Sequence, residues 1–92
     1  MPSVHLEVSG RVQGVGFRWY VAQRGRALGL SGWVRNRSDG AVELAASGAE
    51  PAIERLRTAV QRGPDGALVE HVRELPVESL GDLPSPFAIV RG

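Results

Sequence analysis

One glycine-rich run and two polar side chains are where this sequence could do chemistry. The run is Gly10-Arg11-Val12-Gln13-Gly14-Val15-Gly16, followed directly by Phe17 and Arg18. Asn36 is the only asparagine in the chain. Glycines at that density let successive backbone N–H groups turn toward one point, and a helix starting there adds the positive end of its dipole. A guanidinium beside such a loop grips two oxygens of a phosphate at once. A neutral amide adds no charge, but its oxygen accepts a hydrogen bond from water and sets the water's direction. On this reading the backbone of Gln13, Gly14, Val15, Gly16 and Phe17 holds a phosphate together with Arg18. Asn36 serves the same ligand. Simpler readings stand beside it: the glycines turn the chain, Arg18 is solvated, and Asn36 belongs to a turn, where asparagine is common. A cation in the first turn of a helix opposes the helix dipole, which speaks for function at Arg18.

What is missing narrows the chemistry further. There is no cysteine, so disulfides, zinc–thiolate sites and thiol nucleophiles are excluded. All 11 basic residues are arginine, which excludes a Walker A lysine and any Schiff-base enzyme. His5 and His71, the only histidines, lie apart without ligand-like spacing, so neither metal nor cofactor is expected. A net charge of +1 offers no field for nucleic acid. No apolar run approaches the roughly 18 residues of a membrane span. The start, Met1-Pro2-Ser3-Val4-His5, lacks the pattern of an export signal. The expectation is a single cytoplasmic domain over residues 1–92.

The elements that must position these groups can be read from periodicity. Val4, Leu6 and Val8 alternate with polar residues, a half-buried strand that the glycine run ends. Phe17 to Leu28 reads as a helix with Val21 and Leu28 on one face, Trp19 and Ala22 flanking, and Gly29 as its stop. Gly25 inside it costs about 1 kcal/mol relative to alanine, which points to a close approach to the sheet. Ser31–Arg37 and Ala41–Ala46 read as strands joined by the hairpin signal Ser38-Asp39-Gly40. Glu50-Pro51 opens a second helix, with Ile53, Leu56 and Val60 or Ala59 inward and Glu54, Arg55 and Arg57 facing water. Gly63-Pro64 ends it. Ala67–Val77 is a fourth strand whose alternation slips around Val69, Val72 and Leu75, the mark of a bulge or an edge. Phe87–Val90 is a short last strand, and Trp19, Tyr20 and Trp33 are expected to pack.

The order is an α+β ferredoxin-like βαββαβ sandwich: an antiparallel sheet with two helices on one face and a short extra C-terminal strand. With sheet order 4-1-3-2 the first two strands run parallel. Asn36 then reaches the same end of the sheet as the glycine loop and Arg18.

These residues also carry a family resemblance. Gly10 to Arg18 resembles the first signature of the acylphosphatases, and Gly32-Trp33-Val34-Arg35-Asn36-Arg37-Ser38-Asp39-Gly40-Ala41-Val42 resembles the second. The similarity runs on to Phe87-Ala88-Ile89. The resemblance implies the ferredoxin-like fold and metal-free hydrolysis of acyl phosphates to a carboxylate and inorganic phosphate, the latter both product and inhibitor. It carries the catalytic arginine onto Arg18, the water-orienting asparagine onto Asn36 and the phosphate loop onto residues 10–16. Some relatives have cysteine or an aromatic residue where this chain has Gly16. A monomer without nucleic-acid or membrane partners is expected. The alternative is a non-catalytic phosphate-binding or carbamoyl-phosphate-handling domain, because a similar domain opens a much longer hydrogenase-maturation carbamoyltransferase. The length of 92 residues favours the stand-alone enzyme. RNA-binding domains of this fold stack bases on central strands, and His5, Glu7, Ala41, Glu43 and Ala45 offer no such platform.

Overall fold

Alternation in the strands and a period of 3.6 in the helices direct the apolar side chains to one shared layer. A computed structural model describes residues 1–91. The elements are β1 (Ser3–Arg11), α1 (Phe17–Ala27), β2 (Ser31–Asn36), β3 (Val42–Ser47), α2 (Glu50–Arg62), β4 (Leu68–Glu74) and β5 (Ala88–Ile89). Leu6 lies opposite Leu44, and Leu44 opposite Val34. The parallel row Val8, Val42, Asn36 lies toward the end of the sheet where β1 and β2 finish. Phe17, Val21 and Ala22 of α1 and Ile53, Leu56 and Val60 of α2 close over this face as one core. Each large apolar side chain so buried contributes about 1.5–3 kcal/mol. Tyr20 Oη donates to the carbonyl of Ala59 at 2.9 Å, tying the two helices together.

The sheet order is β4-β1-β3-β2-β5. β1 and β2 both pair antiparallel with β3, so they run in the same direction. β5 pairs parallel with β2, so the sheet is mixed rather than wholly antiparallel.

Several boundaries differ from the sequence expectation. β1 continues two residues into the glycine run, because Gly10 and Arg11 pair with Val69 and Leu68 of β4. β4 is both an edge strand and bulged. Ser9 faces His71 and Gly10 faces Val69, which leaves Glu70 as the extra residue. That extra residue is why Val69 and Val72, three apart, both pack against the core. The strand ends at Glu74, shorter than the expected Ala67–Val77. The last strand shrinks to Ala88–Ile89, because Phe87 turns fully into the core. Gly25 closes on Phe87 rather than on the sheet. A Cβ at Gly25 would stand 2.3 Å from Cδ2 of that ring, and one at Gly32 would stand 2.4 Å from Cε2. The ring therefore occupies a slot that two glycines leave open between α1 and β2. Arg26 Nε holds it there by donating to the Phe87 carbonyl at 2.8 Å. Trp19 does not pack: it is 63% exposed.

The opposite face of the sheet carries charge. One cross-strand row reads Arg73, Glu7, Glu43, Arg35. Two acids side by side repel, and cations surround them. Arg73 Nη2 lies 3.1 Å from Glu7, and Arg35 Nη2 lies 2.7 Å from Glu43. Arg37 reaches Glu7 at 2.8 Å and Glu43 at 3.9 Å. His5 Nε2 stands 2.5 Å from Glu43 Oε2. Glu43 is only 6% exposed. Burial pushes its carboxyl up, but the hydrogen bonds from His5 and Arg35 outweigh this and hold it below the ordinary value. Arg57, expected to face water, is half-buried and donates to Glu74.

Candidate active site

Residues 12–16 carry the chain from β1 into α1. Val12 and Phe17 are buried at either end and pin the loop to the core. Gly14 (φ 76°) and Gly16 (φ 78°) are left-handed, while Val15 between them is not. A Cβ at either glycine would meet nothing within 4 Å, so the need is for φ rather than space. Another residue type held there costs about 1–2 kcal/mol. Alternating backbone handedness turns neighbouring N–H groups toward a common point. Gly16 is the N-cap of α1 and brings no side-chain cap; the first helical N–H to find an acceptor is Tyr20, on Gly16 O at 3.0 Å. Among the described residues the N–H groups of residues 14–19 have no protein acceptor. Open N–H groups at a helix start suit an anion.

The Gln13 side chain is engaged within the protein. Its Nε2 donates to the carbonyls of Arg37 at 2.8 Å and Ala41 at 2.9 Å, so the side chain braces the loop against the β2–β3 hairpin. Neither Gln13 nor Val15 lines the cavity that follows.

Asn36 stands between Arg35 and Arg37 in sequence. Strand alternation sends both arginines to the charged face, and leaves Asn36 in the row of Val8 and Val42 under the helices. There Gly14, Gly16, Phe17, Arg18 and Asn36 line one cavity of about 210 Å³. The two chemical side chains come from different elements and meet because β1 and β2 end at the same edge. Neither forms a hydrogen bond or ion pair with any described residue. Among the described residues Arg18 is the only charged one in the lining. Val12, inside the expected phosphate loop, completes it with Trp19 and Ile89, and sequence reasoning missed the last two. A signal existed for Trp19. The inward stripe of α1 runs Phe17, Val21, Gly25, and Trp19 falls off that spacing. Among the described residues no cluster of three or more His, Asp or Glu could hold a metal ion. No helix there is long and apolar enough to cross a membrane.

Fold and site together define a ferredoxin-like α+β domain with an open, positively charged cavity at its first strand-to-helix turn. Comparison with known proteins makes this specific. The acylphosphatase family model matches residues 4–89. Acylphosphatase 2 of Ralstonia nicotianae is 49% identical over 86 residues, spanning 94% of this chain and 90% of that protein. The crystal structure of acylphosphatase from Bacillus subtilis superposes with a TM-score of 0.89 at 39% identity, covering 98% of this chain and 99% of that one. Full-length HypF contains a similar unit: TM-score 0.76 and 30% identity over 96% of this chain, but only 11% of HypF. The chain belongs to the acylphosphatase family and is an enzyme of that class.

Proposed function

We propose that the chain hydrolyses the carboxyl–phosphate bond of acyl phosphates by in-line attack of a water that Asn36 positions. The observation that supports this is the convergence of Arg18, Asn36 and an N–H-rich loop on one cavity, with neither side chain paired to another among the described residues. The loop from Gln13 to Phe17 and Arg18 bind the phosphoryl oxygens and stay with them as charge redistributes in the transition state. Asn36 Oδ1 accepts a hydrogen bond from the attacking water. The water oxygen bonds to phosphorus, the bond from phosphorus to the bridging oxygen breaks, and that oxygen leaves on the carboxylate. Among the described residues no carboxylate or imidazole side chain lines the cavity, so the water's proton passes to a phosphoryl oxygen of the substrate. The leaving carboxylate has a pKa of about 4 to 5 and needs no general acid. A phosphate monoester releases an alkoxide and does need one. The site therefore favours acyl phosphates by what it lacks. Inorganic phosphate fits the same cradle and acts as product and inhibitor.

The test is turnover of acetyl phosphate in excess EDTA, beside the Asn36→Ala variant. The wild type is expected to turn over without added metal. The variant is expected to lose about 100-fold in kcat, or about 2.7 kcal/mol, with phosphate inhibition little changed. A variant that melts earlier yet keeps its kcat would reduce Asn36 to a turn residue.

A further inference from the structure

Apolar side chains rarely stay in water beside a polar site without a use. Trp19 is 63% exposed and Ile89 is 43% exposed, and both border the cavity of Arg18 and Asn36. The other large exposed apolar residues, Met1, Leu68 and Val77, do not. Two separate devices bring the pair to this rim. Trp19 follows Arg18 in the first turn of α1, off the inward stripe. Ile89 is held by the parallel pairing of β5 with β2, where it stands opposite Val34 and Val90 N–H donates to Val34 O at 2.9 Å. That register puts Ile89 beside the row that ends in Asn36. One part of the cavity is thus backbone N–H, guanidinium and amide, and another is indole and aliphatic.

We propose that Trp19 and Ile89 form the subsite for the acyl group. The proposal rests on the acylphosphatase reading above, because it takes the phosphoryl group to occupy the polar part. The acyl group is joined to that phosphoryl group through one oxygen, so it must lie within a bond or two of the cradle. The uncovered apolar surface there is the indole and the Ile89 side chain. Among the described residues Arg18 is the only charged side chain in the lining and is engaged by phosphate, so a second carboxylate on the acyl group finds no cation there. The subsite therefore selects uncharged acyl groups with a flat or branched apolar body, and separates them from small ones such as acetyl. Burying added apolar surface in this way discriminates by about tenfold or more.

The experiment compares kcat/KM for benzoyl phosphate and acetyl phosphate in the wild type, Trp19→Ala, Trp19→Phe, Ile89→Ser and the remote control Leu68→Ala. Both target side chains are largely exposed, and melting curves verify that each variant folds. The benzoyl-to-acetyl ratio is expected to fall about tenfold in Trp19→Ala, to fall severalfold in Ile89→Ser, to stay mostly intact in Trp19→Phe and not to change in Leu68→Ala. A ratio unmoved in folded Trp19→Ala and Ile89→Ser overturns the subsite while leaving the acylphosphatase reading in place. A wild type that turns over neither substrate overturns that reading, and the subsite with it.

Discussion

The two faces of the sheet use arginine in opposite ways. On the charged face Arg35, Arg37 and Arg73 are all paired, and Glu7 and Glu43 each have cations on more than one side. In the cavity, among the described residues, the Arg18 side chain has no acidic partner and the Asn36 side chain no hydrogen bond. Paired polar groups hold strands in register, while unpaired ones at a cavity stay available to a ligand. The difference is set by strand parity: Arg35 and Arg37 flank Asn36, yet alternate to the other face. Stability and activity should therefore separate cleanly between the faces when residues are changed one at a time.

The largest expected effect is on the cavity side. Arg18→Ala should lower kcat/KM by about 1,000-fold and abolish inhibition by inorganic phosphate, with the melting temperature unchanged. Arg18→Lys should remain poor, because an ammonium does not reproduce the planar fork. Steady-state kinetics and phosphate titration on the same samples check this, and a near-normal rate in Arg18→Ala would break the contrast. Asn36→Asp should lose about 100-fold in kcat, since a carboxylate would face the phosphoryl oxygens. If its rate is normal, an uncharged amide is not what the site requires.

On the charged face the signs reverse. Glu43→Gln should cost about 2 kcal/mol, a fall of about 10 °C in melting temperature, with kcat unchanged. The Glu43 carboxyl is held below its ordinary value of 4.5. Its contribution is therefore complete above that pH and is lost as pH falls through the lowered value. Melting curves of the two proteins should be far apart at pH 7 and converge in acid. A gap that widens in acid would contradict the assignment. The smallest effect belongs to Gln13, which joins the two regions. Gln13→Ala should cost about 1 kcal/mol and lower kcat/KM a few-fold, because the loop loses its brace on Arg37 and Ala41.

Much of this was legible before any coordinates. Period-two alternation marked β1, and the expected sheet order, with β1 and β2 parallel, placed Asn36 at the sheet end that β1 also reaches. The slip in β4 disclosed a bulge, because an odd spacing of Val69 and Val72 cannot lie on one face otherwise. What escaped was decided by contacts between residues distant in sequence. Nothing local to Glu43 says that it lies directly opposite both Glu7 and Arg35. Nothing local to Gly25 says that a ring from residue 87 will fill the place of its side chain. The exposure of Trp19 could be inferred from helix spacing, but the reason for leaving it exposed needed Ile89 beside it. The glycine run was misjudged for the same cause: pairing with β4 keeps Gly10 and Arg11 in a strand.

The Phe87 slot has a consequence for how the enzyme is made. The loop, Arg18, Asn36, the four main strands and both helices all precede residue 87 in the chain. A chain cut short before residue 87 has nothing to fill the slot between Gly25 and Gly32, and lacks Ile89 at the cavity rim. Such a truncated chain keeps the reactive groups but exposes an unfilled apolar cleft, a form that proteases and chaperones recognise. The same short segment thus closes the core through Phe87 and finishes the cavity through Ile89.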